Sequence, residues 1–522
     1  MSTAVATALA ALAAYPPPPA VPSVIYRSAG RLLVICQGPE LPALLDQLGE
    51  PLQVSVLCLR EGPSSAPPGL TVFVGELFSL AGWLGAFSAV WSTGSGSFDL
   101  VLNLTAHRCF DMHQPPQGYF APGDDVAAQA LAVAELRDGV GEFEKPKFFL
   151  YNEKTCAHSR SNLPGCDRCI DVCSTRAIEA DGDRIRVEPH LCMGCGACAT
   201  VCPSGAMQYH YPAMSYWGGK LQTALTAYRQ SGGEPPWLLL HHPSDRPALD
   251  QSTLPCQVIV METYHIAAIG LDWMLGALAY GAARVMILTN GSEAPQYHEA
   301  LRQQMAIGEA ILLGLGYGAG HLALVERSAL CESLAPVNLA LPAEPAAFHW
   351  FDDKRTTLRF AIDHLVRHAP QPLPEAIPLA AGAPFGSVNV DRNLCTLCYS
   401  CVSACPASAL RDGAGEPQLR FVESNCLQCG LCEAACPEDA ITLQPRLLLG
   451  EPAKQARQLH QDQPFCCVRC GKPFATTHMI GAMLHKLSGH SMFSTPEARR
   501  RLQMCGDCRV IDLMQDAPVE RK

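Results

Sequence analysis

The sequence predicts a multidomain protein of mixed α/β and α+β class, in which two cysteine-rich modules sit among α/β scaffold segments. Three observations predict it. At 522 residues and 56.0 kDa the chain is long enough for about three to five domains. Apolar residues make up 48% and charged residues only 17%, which supplies packed cores and excludes wholesale disorder. The 26 cysteines are clustered and recur as C-x2-C-x2-C-x3-C, the spacing of metal ligation rather than of a disulfide framework. That usage predicts a reducing compartment and a cytoplasmic protein. With 38 Lys and Arg against 49 Asp and Glu, the net charge of −11 excludes nucleic-acid binding by bulk charge.

Residues 1–22 read as a flexible leader. Met1 to Ala14 is Ala-rich and apolar, Pro16 to Pro19 follow, and neither a basic n-region nor a twin-arginine pair is present. Residues 23–150 read as an N-terminal α/β domain. Its strands are Leu32 to Cys36, Gln53 to Leu59, Leu70 to Val74 and Phe98 to Leu104; its helices are Leu41 to Leu48 and Asp125 to Arg137. Residues 151–212 carry the first cysteine cluster. Residues 213–350 alternate strands (Trp237 to Leu240, Gln257 to Met261, Val285 to Thr289, His321 to Val325) with helices (Ile266 to Tyr280, Gln296 to Leu313), which predicts a parallel sheet. Ile266 to Leu288 is too charged and glycine-bearing for a membrane span and reads as a buried helix followed by a strand. Residues 351–384 read as a helix and a Pro-rich linker, residues 385–445 carry the second cysteine cluster, and residues 446–522 form a C-terminal module. That module holds 12 Lys and Arg against 7 Asp and Glu.

The second cluster is the strongest motif. Cys395, Cys398, Cys401 and Cys405 precede Pro406, and Cys426, Cys429, Cys432 and Cys436 precede Pro437, so equivalent cysteines lie 31 residues apart. Three thiolates from one short loop can cap three irons of a cube, and the fourth, before proline, ligates the other cube. One [4Fe–4S] cluster is therefore expected on Cys395, Cys398, Cys401 and Cys436, and another on Cys426, Cys429, Cys432 and Cys405. Two zinc sites would call for paired C-x2-C knuckles and fit this double run poorly. Residues 386–445 resemble the bacterial-type ferredoxin with two [4Fe–4S] clusters.

The first cluster is an imperfect copy. Cys192, Cys195, Cys198 and Cys202 precede Pro203, but the other half has only Cys166, Cys169 and Cys173, then Ser174 in place of proline. Leu163 stands where a cysteine is expected, and the nearest upstream thiol is Cys156. An inserted loop containing Pro164 and Gly165 would bring it back. The expected sets are Cys156, Cys166, Cys169 and Cys202, and Cys192, Cys195, Cys198 and Cys173. The alternatives are a [3Fe–4S] cluster, or a fourth ligand such as His158.

Cys467 and Cys470, with Cys505 and Cys508, form two C-x2-C knuckles. They predict a zinc-ribbon-like module holding one Zn2+, with a fifth iron–sulfur cluster or no metal as alternatives. Cys466 is a spare thiol, and His478 or His485 are substitute ligands. Arg499 to Arg501 reads as a solvated helix face. Cys36, Cys58, Cys109, Cys256 and Cys331 read as free thiols without chemistry. His241 and His242 read as capping or core residues. Gly314, Gly316, Gly318 and Gly320 follow a helix, which fails the dinucleotide-loop context. No flavin fingerprint, phosphate loop or hydrolase triad is visible, and no catalytic residue is assigned.

Two wider resemblances follow. Leu254-Pro255-Cys256 and Ala279-Tyr280-Gly281-Ala282-Ala283-Arg284-Val285 are similar to the small iron–sulfur subunit domain of methyl-viologen-reducing hydrogenases and heterodisulfide reductases. In that family a cysteine-bearing loop helps bind a [2Fe–2S] cluster. Here Thr289-Asn290-Gly291-Ser292-Glu293-Ala294 lacks the cysteine, so the resemblance implies a fold without a cluster. The module order, with Tyr151 to His158, Cys166 to Cys173 and Cys505 to Val510, resembles a proteobacterial family of multi-cluster ferredoxin-like proteins whose genes accompany molybdenum or tungsten formate dehydrogenases. It implies an electron carrier with four [4Fe–4S] clusters serving an oxidoreductase such as formate dehydrogenase. That carrier has a redox protein partner, no nucleic acid, no membrane span and no small-molecule substrate. A catalytic reductase subunit and an assembly or maturation factor for such an enzyme are the alternatives.

Overall fold

A computed structural model describes residues 2–40, 42–249 and 254–516. The N-terminal domain is built on a five-stranded sheet in the order 71–74, 53–58, 31–36, 100–103 and 119–120, with every pairing parallel. Its central strand, Arg31–Cys36, is apolar on both faces because both are covered. Leu32, Val34 and Cys36 pack toward the Val126–Asp138 helix, while Leu33 and Ile35 pack with Phe87 and Trp91 of a three-stranded antiparallel sheet. The Asp125 carboxylate caps the helix by accepting from the Ala127 and Ala128 N–H groups. The helix expected over Leu41 to Leu48 shrinks to a 3-10 turn, Ala43–Gln47, between Pro42 and the Gly49-Glu50-Pro51 segment; Leu41 lies outside the described residues.

The central domain is a four-stranded parallel sheet in the order Val258–Glu262, Trp237–His241, Arg284–Thr289 and Leu322–Glu326. The Leu271–Ala279 helix is buried on every residue between this sheet and the Lys354–Arg367 helix. Two elements depart from expectation. Residues 1–22 are not a flexible leader, because Thr3–Ala14 is a helix. Ala4, Val5 and Ala8 are buried against Leu221, Leu225 and Tyr228 of the Met214–Gln230 helix, which the sequence pattern also left unassigned. Small alanines let the two helices approach closely, so an apolar stretch that looks featureless in sequence is a packing face.

The cysteine-rich units lie on either side of the Lys354–Arg367 helix. In the first, Phe149–Tyr151 pairs with Met207–Tyr209, and an Ile178–Asp181/Arg184–Val187 hairpin projects between the cysteine loops. In the second, Gly386–Val390 pairs with Ile441–Leu448, and Leu410–Gly413 pairs with Glu416–Val422. This unit is larger than residues 385–445. Ala376–Pro378, expected within a linker, pairs with Ile441–Leu448, and Ala456–Gln461, expected in the C-terminal module, pairs with Glu416–Val422. The apolar run Leu447 to Leu449 carries the chain back into the central core.

The C-terminal module also takes a form other than a zinc ribbon. One hairpin, Pro464–Cys466 with Pro473–Thr476, presents the first knuckle, and the second cysteine pair stands at the start of the Gly506–Asp516 helix instead of on a second hairpin. The long connection folds as helices Thr477–Leu487 and Pro496–Leu502. Among the described residues, no helix is long and apolar enough to cross a membrane.

Val5 is wholly buried, so Val5→Asp places a carboxylate in the central core and is expected to cost about 3 kcal/mol or more. Chemical denaturation checks this; a cost within about 0.5 kcal/mol of zero would match a detached leader.

Candidate functional site

The chain brings its sixteen expected cysteines together as four sets. Cys156 reaches its set by a hairpin: Ser159–Arg160 pairs with Leu163–Pro164 across Ser161 and Asn162, whose φ values of 52° and 62° are the left-handed pair of a tight turn. Asp183 fixes that turn by accepting from the Ser159 hydroxyl and the Ser161 and Asn162 amides. The hairpin register then lays Cys166 N–H on Ala157 O at 2.8 Å, so Cys156 lies beside Cys166, Cys169 and Cys202. His158 Nδ1 lies 2.7 Å from Asp167 Oδ1 and 3.3 Å from Cys166 O. Cys173 joins Cys192, Cys195 and Cys198 around a small cavity. Cys436 joins Cys395, Cys398 and Cys401 around another. Cys405 joins Cys426, Cys429 and Cys432.

Three of the four sets share one backbone device, and all four share a second. Left-handed residues follow the leading cysteines at Gly194 and Gly196, Leu397 and Tyr399, and Gln428 and Gly430. They turn successive N–H groups inward. Amides of Arg168, Gly194, Leu397 and Gln428 donate to the thiols of Cys166, Cys192, Cys395 and Cys426. After each fourth cysteine a left-handed residue recurs: Arg176, Gly205, Ser408 and Asp439. The following amides of Ala177, Ala409 and Ala440 donate to Cys173, Cys405 and Cys436 Sγ at 3.3, 3.2 and 3.3 Å, and Met207 N–H lies 3.5 Å from Cys202 Sγ. Ser174, standing in place of proline, leaves this turn intact.

Burial, then the neighbouring thiols of the same set, push Cys195 and Cys401 up to about 12 and Cys429 up to about 11; Cys169, Cys198 and Cys432 are raised as well. Four such thiolates cannot coexist in one buried place without positive charge between them. Convergent amides and a cage-sized gap suit an iron–sulfur cube, whose sulfurs accept such bonds.

Residues from other domains reach these sets, and no local sequence signal marks them. Tyr297 touches both Ser174 and Cys195 with its hydroxyl. Lys145 donates to His190 O and Cys192 O at 2.7 and 2.8 Å; burial lowers its pKa to about 8. Lys354 donates to Ala199 O and Thr200 O in the first unit, and the next residue, Arg355, donates to Ser424 O and Cys426 O in the second. Between the units, Ala157 packs with Leu427 and Leu431, and Cys166 and Cys429 flank the contact.

In the C-terminal module, the Cys467, Cys470, Cys505 and Cys508 sulfurs all lie within 4.8 Å of one another, with Cys470 and Cys505 3.8 Å apart. A tetrahedral zinc with Zn–S bonds of about 2.3 Å separates its sulfurs by about 3.8 Å. Burial opposes it, yet the amides of Cys505, Cys470 and Arg469 pull the Cys467 thiol down to about 6. Cys466 is exposed, and His478 lies instead on the second unit, its Nδ1 3.1 Å from Cys395 O. Arg501 of the basic run pairs with Asp512 at 2.8 Å. The loop after Arg284–Thr289, which carries no cysteine, closes through Asn290 on Asp245 at 3.0 Å.

Residues 164–206 and 394–441 each match a family described as a 4Fe-4S dicluster domain. The chain is 32% identical over 54 residues to a 7Fe ferredoxin of Hydrogenibacillus schlegelii, covering 10% of this chain and 69% of the ferredoxin. It is 36% identical over 90 residues to indolepyruvate oxidoreductase subunit IorA of Pyrococcus horikoshii, covering 16% of this chain and 13% of that protein. It is 46% identical over 39 residues to hydrogenase-4 component A of Escherichia coli, covering 8% of this chain and 19% of that protein.

Gly194 has φ 76°, and a Cβ there would meet the Phe148 ring at 2.5 Å. Gly194→Val is therefore expected to destabilise the first unit by about 2–4 kcal/mol, read as loss of thermal stability. Gly182, at an open turn with φ 63°, is the control for the backbone strain alone, since the same change there meets no neighbour.

Proposed function

The chain belongs to the 4Fe-4S dicluster ferredoxins over its two cysteine-rich units, and from that premise we propose that it is an electron relay holding four [4Fe–4S] clusters. Cys156, Cys166, Cys169 and Cys202 would hold one. Cys173, Cys192, Cys195 and Cys198 would hold the second. Cys405, Cys426, Cys429 and Cys432, and Cys395, Cys398, Cys401 and Cys436, would hold the others. When bound, each cluster supplies one-electron storage. The observation that carries the reading is the succession of sets: Cys169 neighbours Cys198 within the first unit, Cys166 neighbours Cys429 between the units, and Cys432 neighbours Cys401 within the second. Two separate carriers would not require the units to meet through their cysteine loops.

The protein's own residues do the rest. Amides and burial set the electrostatic surroundings of each set. Lys354 and Arg355 hold the two inner sets together and bring positive charge to their junction, that of Lys354 partly offset by the buried Asp272 carboxylate beside it. A positive charge favours the more negative, reduced state, so this pair should raise the inner potentials relative to the outer ones. The C-terminal cysteines would hold one structural Zn2+, a closed site without redox chemistry. Two of the relatives are named as a subunit or component of an oxidoreductase or a hydrogenase. A redox protein partner fits that company, and the sequence resemblance favours formate dehydrogenase.

Anaerobic analysis of the purified protein should return about 16 iron and one zinc per chain. Cys156→Ser should lower the iron count, whereas Cys36→Ser, at a buried thiol outside the sets, should leave it unchanged. Iron near zero would sink the relay. Formate with a trace of formate dehydrogenase should bleach the cluster absorbance as fully as dithionite; bleaching by dithionite alone would point to another donor. In an EPR-monitored redox titration, Lys354→Met and Arg355→Met should move two of the four potentials downward, and Lys354→Arg and Arg355→Lys should restore them. Four unmoved potentials would leave the pair a purely structural role.

A further inference from the structure

The two ends of the line of cysteine sets differ in what covers them. At one end, the set of Cys173, Cys192, Cys195 and Cys198 lies under both α/β domains. Tyr297 covers Cys195, Lys145 holds Cys192 O, and Phe148 packs over Gly194. The two middle sets close on each other across Leu427 and Leu431. At the far end, Cys398 is exposed, and every other cysteine of the four sets is buried or partly buried. The loop before it, Asp391, Arg392, Asn393 and Leu394, is exposed throughout, and Leu394 presents 47% of its surface to solvent. The Glu438–Lys486 ion pair, at 2.6 Å, stands at its rim.

We propose that the exposed residues Asp391 to Leu394, together with Cys398, are the surface through which the chain exchanges electrons, and that its partner is a protein presenting a one-electron centre close to its own surface. This rests on the relay reading above. Electron exchange between centres falls off steeply with separation, so the end whose ligand reaches solvent dominates contact with outside partners. A lone exposed leucine among one acidic, one basic and one amide side chain suits a small, transient protein encounter, below about 1,200 Å². A small-molecule carrier would want an enclosing pocket, and the cavity beside Cys398 is the cage of the four thiols themselves.

The test places a charge at either end of the line in the full, cluster-loaded chain. Leu394→Glu and Leu394→Lys alter the exposed loop. Leu150→Glu and Leu150→Lys alter the other end, where Leu150 is 40% exposed beside Phe149, which lines the cage there. Iron and sulfide are counted first, so that a failure of cluster loading, which would remove the relay reading itself, is seen separately. Two readouts follow: the stopped-flow rate of reduction by reduced methyl viologen, a cation, and EPR relaxation by an anionic dysprosium chelate. Leu394→Glu should be reduced about threefold faster than Leu394→Lys at low ionic strength, and the gap should close in about 1 M salt. The chelate should relax Leu394→Lys more strongly than Leu394→Glu. The Leu150 pair should show no difference in either readout. A gap within the Leu150 pair, or equal behaviour within the Leu394 pair on fully loaded protein, would overturn the proposal.

Discussion

Repulsion among crowded thiolates is the constraint on which this molecule turns. Burying four ionisable sulfurs within touching distance is unfavourable unless positive charge sits among them. The raised thiols of Cys195, Cys401 and Cys429 express that cost in the protein alone. The left-handed turns at Leu397, Tyr399 and Gln428, which side chains other than glycine adopt only under strain, are held to aim amides at the same points. Thiol crowding marks four places in the fold, with small cavities at two of them.

The two α/β domains supply what a small cysteine-rich unit lacks, a hydrophobic core. The central sheet and its helices bury one continuous cluster that takes in Ile377, Leu447 and Leu449 from the second unit's sheet as well as Ala4, Val5 and Ala8 from the first helix. The first unit is held from two sides, by Lys145 of the N-terminal domain and by Tyr297 and Lys354 of the central one. Scaffold and site are therefore not separable layers. The side chains that surround the cysteine sets arrive from strands and helices far away in the chain.

That division explains what was legible in the sequence. Strands such as Trp237–His241 and Arg284–Thr289 are short apolar runs bounded by turn residues, because both faces of a parallel sheet are buried. The grouping of Cys395 to Cys436 into two interleaved sets follows from spacing, since one short loop forces three thiols to one side. The return of Cys156 was half legible: Pro164-Gly165 signals a turn, but the Ser161-Asn162 hairpin and its Asp183 anchor depend on a contact across the unit. Thr3–Ala14 was misread because a helix buried on alanine has no strong apolar period. Ser174 was read as a departure from pattern, yet the turn it joins is set by Arg176 and the Ala177 amide, which tolerate the change. Tyr297, Lys145, Lys354 and Arg355 had no signal at all, since an isolated tyrosine, lysine or arginine in a helix or strand is what any surface would carry.

The adjacency of Lys354 and Arg355 has a consequence for how this chain can change length. Successive residues of a helix point about 100° apart, and here that angle is what lets one turn grip two bodies. One residue inserted between them would swing Arg355 away from Ser424 and Cys426 while Lys354 stayed on Ala199 and Thr200. The start of this helix is thus a fixed gauge. In the Pro- and Ala-rich stretch that leads from it into the second unit, only the exposed residues 370–374, ahead of the Ala376–Pro378 pairing, are free of such coupling. Insertions and deletions accumulated over time should fall in that short run and spare the two-residue gauge, whatever the scaffold domains do around it.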